Sequence, residues 1–344
     1  MGDITVMNER RGGRGPTSVD EALERLQALV SDDLKCVNET ILQRMHSPVA
    51  LIPQLAGHLI ASGGKRLRPM LTLAAAQLVG YRGERHRKLA ACVEFIHTAT
   101  LLHDDVVDDS DMRRGKDSAN VLFGNKPSVL VGDFLFSRAF ELMVEDGSLD
   151  VLRVLSRASS VIAEGEVLQL SIANDLDTPE ESYLSVIEAK TAVLFEAATQ
   201  IAAIVGERPD AEEQALASFG RNLGIAFQLV DDALDYSARE LTLGKSVGDD
   251  FREGKITLPV ILAYRRGSSE ARSFWQRTIR DMEQRDGDLA HAIRLMTAEN
   301  ALADTVERAR HYTAIARDAL GIFRPGRIRD ALEDILRFCV ERAF

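Results

Sequence analysis

The chain is predicted to be all-α. Nine prolines, at positions 16, 48, 53, 69, 127, 179, 209, 259 and 325, leave long proline-free stretches between most of them, as expected where proline is confined to first turns and connections. Apolar residues recur three and four apart through those stretches, and no alternating strand pattern or βαβ rhythm appears. The first helix opens at Ser18-Val-Asp-Glu21 and carries Leu23, Leu26, Leu29 and Val30 on one face. Similar periods run through about 84–108, 126–145, 149–173, 180–206, 210–236 and 298–320. Asp177-Thr-Pro-Glu180 reads as a helix start, with Thr178 as N-cap and Pro179 in the first helical position. Residues 1–17, rich in Gly and Arg, read as a disordered tail. No linker composition and no fixed-period repeat interrupts 18–344, which predicts one helical domain. Its one long internal connection is Ser237 to Gly254, punctuated by Gly244 and Gly248.

Composition narrows the function classes. The 344 residues carry 42 Lys+Arg against 53 Asp+Glu, a formal net charge of −11. Nucleic acid and anionic lipid both demand a basic face, so no nucleic-acid partner is expected, and a polyanion must be met by a local cluster of cations. Cys36, Cys92 and Cys339 lie far apart with no CxxC, which supports neither a disulfide framework nor a zinc site and points to a reducing, cytoplasmic setting. The N-terminus has charges and glycines where a signal peptide needs an apolar stretch, and no window reaches a membrane span.

The strongest chemical signal is Asp104-Asp105-Val106-Val107-Asp108, recurring as Asp231-Asp232-Ala233-Leu234-Asp235. Each cluster ends a long apolar helix, where the macrodipole makes carboxylates least welcome unless a cation neutralises them. Asp104 and Asp108 face one way on a helix, as do Asp231 and Asp235, which suits hard divalent cations. A solvated acidic helix end would account for one such run, but two, both ending apolar helices, argue against it. A ferritin-like di-iron site would need two ExxH elements, and Glu94-Phe-Ile-His97 is the only one. Cations complete the pattern: Lys65, Arg66 and Arg68 beside Gly63-Gly64, Arg113-Arg114 after the first cluster, Lys190 amid apolar neighbours, and Lys245 and Lys255 in or beside the long connection.

The elements GGKRLRP, HDDVVDDSDMRRG, Lys190-Thr191, FQLVDDALD and GKSVGDDFREGKITLP, in this order, resemble the motif series of the trans-polyprenyl diphosphate synthases. The resemblance implies the class I isoprenoid synthase fold and a homodimer. It implies a cavity in which magnesium, about three ions with manganese able to substitute, is held by Asp104 and Asp108 on one side and Asp231 on the other. Asp105, Asp232 and Asp235 would be supporting groups or additional ligands, Asp235 counted with the metal set. By the same resemblance Arg113, Lys190, Thr191, Gln228, Lys245 and Lys255 contact an allylic diphosphate, and Lys65, Arg68, His97 and Arg114 hold isopentenyl diphosphate. His97 lies seven residues before Asp104, nearly on its face of the helix.

Short-chain members of that family place aromatic side chains four or five positions before the first cluster; here stand Ala99 and Thr100. Gly224 and Gly220 lie in line with Asp231 and serve either an open tunnel or close helix packing. Together these predict an open tunnel and a product of about eight to ten isoprene units, as for a quinone side chain, with transient membrane contact for release. The Gly-punctuated connection is expected to act as a lid. A shorter-chain synthase, a class I terpene cyclase and a non-catalytic subunit are the alternatives. The intact second cluster argues against the cyclase, and the retained GGKRLRP cations against the subunit.

Overall fold

The computed structural model describes residues 19–61, 64–113, 115–237 and 247–342. The expected N-terminal tail, Gly63, Arg114, Gly244 and Lys245 therefore lie outside the described residues, as does half of the expected lid, 238–246. The chain runs through α1 (Val19–Leu29), α2 (Ser31–Arg44), α3 (Leu51–Ala61), α4 (Leu67–Leu78) and α5 (Arg85–Val107). A two-stranded hairpin, β1 (Met112–Arg113) and β2 (Lys116–Asp117), then pairs Arg113 with Lys116 in antiparallel register. There follow α6 (Ala119–Phe123), α7 (Asn125–Asp146), α8 (Leu149–Ser171), α9 (Glu180–Ile187), α10 (Val193–Val205) and α11 (Asp210–Leu234). After the long connection come α12 (Asp249–Arg252), α13 (Leu258–Arg266), α14 (Ser269–Trp275), α15 (Asp288–Ala298), α16 (Ala301–Ala319) and α17 (Arg327–Glu341). The all-α expectation holds, the hairpin being too short for a period-two signal.

The architecture is a ring of helices around α10, which packs on α4, α5, α8 and α11. Helix α4 is buried without a break from Pro69 to Ala76, as a helix apolar on every face must be. Alanines at 74–76, 90–91, 197–198 and 202–203 are all buried, and their small side chains let α4, α5 and α10 approach closely.

Two local expectations change. Helix α9 begins one residue late: Pro179 is extended (φ −73°, ψ 154°) and is itself the N-cap, while the Thr178 hydroxyl is buried with no hydrogen-bond partner. Proline at the cap leaves Thr178 one position too far from the orphan N–H groups to reach them. Gly220 and Gly224 serve packing rather than a tunnel. A Cβ on Gly220 would lie 2.3 Å from the Phe195 carbonyl oxygen, and one on Gly224 would lie 2.6 Å from Ala192 Cα. Both glycines seat α11 on the helix opposite.

Candidate active site

Helices α9 and α10 are one helix interrupted by a π-helical turn, Glu188–Ala192. That turn carries Lys190 and Thr191. π-bulges insert one residue and rotate side chains out of the α register, and here the turn sets both residues on the wall of a single cavity of about 1150 Å³. The same cavity is lined by Lys65, Arg68, His97, Thr100, Asp104, Asp108, Arg113, Gln228, Asp231, Asp232 and Lys255. Five segments scattered along the sequence thus meet: the start of α4, the C-terminal part of α5 with the hairpin after it, the π-turn, the end of α11 and the stretch just after α12.

The first cluster lies where α5 stops. Asp108 is its C-cap and Asp109, at φ 48°, takes the left-handed turn beyond it, the usual way a helix ends. Asp105 is fully buried and accepts from Arg113 Nε at 2.5 Å. Burial pushes Asp104 up to about 7; the Lys190 ammonium opposes the rise, and Glu166 and Asp108 add to it. Lys255 Nζ lies 3.1 Å from Asp108 Oδ2 and 2.5 Å from Glu253 Oε2. Burial pulls the Lys255 ammonium down, but Asp250, Asp108 and Glu253 outweigh it and hold the group above the ordinary lysine range.

The second cluster is fixed by a hydrogen-bond relay. Thr191 donates to Gln228 Oε1 at 2.8 Å, Gln228 Nε2 donates to Asp232 Oδ1 at 2.8 Å, and Tyr183 OH donates to Asp232 Oδ2 at 2.5 Å. Burial raises Asp232 to about 6 against these two donors. Asp231 faces the cavity and takes Arg342 Nη1 at 2.6 Å, with the guanidinium 3.9 Å over the Phe227 ring.

Asp235 departs from the cavity wall. Its carboxylate accepts from the backbone N–H groups of Asp249 and Asp250 at 3.2 and 3.1 Å and is not on the cavity wall. Its own backbone stays helical as the C-cap of α11, and the carboxylate is drawn to the start of α12 by those N–H groups. Burial raises it to about 6, the backbone donor of Asp250 opposing. The acid that does line the cavity there is Asp250. Burial, then Asp235 and Asp232, raise it well above the carboxylate range. Ala99 also departs: it is wholly buried in the core and off the cavity wall, whereas Thr100 is on it with Leu101.

On the opposite side Arg68 Nη1 donates to His97 Nε2 at 3.0 Å, its guanidinium 4.3 Å over the Phe195 ring, and Lys65 Nζ is 5.1 Å over Phe338. Lys190 finds the anionic partner its apolar setting demands in Glu166 of α8, at 2.7 Å. Sequence reading missed Glu166, Tyr183, Asp250 and Arg342. Asp250 lay within a motif already singled out; the other three carried no local signal.

The donor set fits divalent metal. Among the described residues no three acidic, imidazole or thiol groups converge on one point as a closed cage would. Asp104 and Asp108 instead stand on one wall and Asp231 on another, and the buried charge of Asp104, crowded by Glu166 and Asp108, is one that a cation relieves. That suits an ion taking one or two carboxylates and completing its shell with water and phosphate oxygens.

Long helices that deliver acidic clusters and cations to one central cavity define the class of helical prenyltransferases with the isoprenoid synthase fold. The profile of the polyprenyl synthetase family matches residues 49–296, and the chain belongs to that family. It is 48% identical over 322 residues to octaprenyl diphosphate synthase of Escherichia coli (strain K12), covering 93% of this chain and 99% of the relative. It is 41% identical to the geranyl-diphosphate-specific all-trans-nonaprenyl-diphosphate synthase of Rhodobacter capsulatus, covering 92% and 96%. The crystal structure of a decaprenyl diphosphate synthase from Rhodobacter capsulatus superposes with a TM-score of 0.90 at 52% identity, covering 94% of this chain and 99% of that one. A polyprenyl synthase from Caulobacter crescentus CB15, complexed with calcium and isoprenyl diphosphate, superposes with a TM-score of 0.91 at 52% identity, covering 96% and 100%.

Proposed function

We propose that this long-chain all-trans polyprenyl diphosphate synthase joins isopentenyl diphosphate units to an allylic diphosphate, making about eight to ten isoprene units for a quinone side chain. The carrying observation is that aspartates of both clusters and the cations of four distant segments line one cavity. Asp104, Asp108 and Asp231 would hold magnesium, about three ions, or manganese in its place; bound metal supplies positive charge to the leaving diphosphate. Lys190, Thr191, Gln228, Lys255 and Arg113 would grip that diphosphate, and Lys65, Arg68 and His97 the isopentenyl one. The allylic C–O bond breaks with its electron pair leaving on the diphosphate. The isopentenyl double bond attacks the allylic carbon to form the new C–C bond, and the proton lost goes to the released diphosphate. The chain's cations stabilise charge as it develops, while Leu101, Ile172, Val186 and Ile187 on the same wall keep water from the allylic cation.

A homodimer is part of the proposal. Leu130, Phe140 and Val144 are exposed apolar residues of α7, Leu130 67% and Val144 68% accessible, a surface that a second copy of the chain would cover. No helix among the described residues is long and apolar enough to cross a membrane; a cytoplasmic enzyme meeting the membrane only to release product accords with that. Incubation with isopentenyl diphosphate, an allylic primer and magnesium tests the reading by mass spectrometry. A dominant product of about forty to fifty carbons is expected; one of three or four isoprene units, or a free hydrocarbon, would overturn it.

A further inference from the structure

Arg66 sits in the left-handed region at φ 50°, ψ 33°, at the N-cap of α4, although it is not glycine. Such backbone persists in an L residue only where the surroundings over-determine it. The restraint is visible: Arg66 Nη1 lies 2.5 Å from Glu94 Oε1 on α5, with side chains 19% and 10% exposed. Glu94 is one helical turn before His97, which receives Arg68. Two neighbouring arginine contacts therefore tie the Gly64–Arg68 turn to successive turns of α5. Glu94 also lines the cavity, where an unpaired carboxylate would repel an anionic ligand.

We propose that the Arg66–Glu94 pair is a positioning device, fixing the left-handed turn so that Lys65 and Arg68, on either side of it, both reach the isopentenyl diphosphate. The inference rests on the assignment of those two cations above. Neither Arg66 nor Glu94 need touch the substrate. The sign of one substitution separates this role from simple repulsion. Glu94→Gln removes a negative charge from the wall, which by charge alone strengthens anion binding; loss of positioning weakens it.

Steady-state kinetics on the full chain, with melting temperature recorded for each variant, make the test. Glu94→Gln should raise KM for isopentenyl diphosphate about fivefold or more, leave KM for the allylic primer within about twofold, and leave kcat nearly unchanged. Glu94→Asp, which keeps the charge on a shorter arm, should fall between wild type and Glu94→Gln, and it carries the test by itself if Glu94→Gln does not fold. An unchanged or lowered isopentenyl KM in the folded variants, beside an impaired Lys65→Ala, overturns the inference alone. A Lys65→Ala enzyme with unchanged isopentenyl KM overturns the assignment and the inference together.

Discussion

Asp104 concentrates the chemistry of the site in one carboxyl group. It is crowded by Glu166 and Asp108, lies beside Lys190, and is raised by burial to about 7. Asp104→Asn keeps the shape and removes the charge, so kcat should fall by about a thousandfold or more with little change in melting temperature. Product analysis separates Thr100 from Ala99. Thr100→Phe puts an aromatic ring on the cavity wall and should shorten the product by several units. Ala99→Phe must find room in a sealed core and should cost stability first, by about 1–3 kcal/mol. The aspartates were legible because four-residue spacing on a helix is a local property. Glu166 and Tyr183 were not, since each meets its partner only through the packing of helices distant in sequence, and nothing near either residue marks it.

At the scale of elements, the π-turn at Glu188–Ala192 and three glycines form one packing unit. A Cβ on Gly165 of α8 would lie 2.7 Å from Ala189 Cβ, and Gly220 and Gly224 press α11 against the other side. Gly224→Ala should lower the unfolding free energy by about 1–3 kcal/mol in a denaturant titration, and relative activity should fall further than stability, because Lys190 and Thr191 sit on the displaced turn. The helix over 180–206 was readable from its apolar period. The inserted residue inside it was not, because Val193–Val205 is apolar on nearly every face and offers no phase to compare with the segment before it. Asp235 was hard to place for another reason: its backbone is still helical, but its carboxylate is taken by the N–H groups of Asp249 and Asp250, which a separate segment brings to it.

For the molecule as a whole, raised carboxyl groups make an acid-favouring empty enzyme. Asp104 titrates near 7 and Asp232 and Asp235 near 6, against 3.8 for an ordinary aspartate. Between those values the folded chain holds more protons than the unfolded one, so this contribution to stability is fully present below about pH 4 and is lost as pH rises through 6 to 7. Thermal melts without metal should therefore show a midpoint a few degrees higher at pH 6 than at pH 8. Magnesium with a non-reactive diphosphate should narrow that gap; a gap that is absent or reversed contradicts the assignment. The exposed apolar residues of α7 give a second global prediction, for the proposed homodimer: Leu130→Glu should sediment as a monomer in analytical ultracentrifugation, where the unsubstituted chain sediments as a dimer, while keeping its helical circular dichroism.

The π-turn reaches beyond its own neighbourhood. An α-helix advances about 100° per residue, so the surplus residue acts as a phase offset between the segment bearing Tyr183 and the segment bearing Phe195. Removing any one residue from 188–192 would leave an unbroken, well-formed helix whose two halves no longer agree on which way is inward. Substitutions along this helix should thus be graded in effect, whereas single-residue deletions should be all or none, and the length of this stretch is held more tightly than its composition.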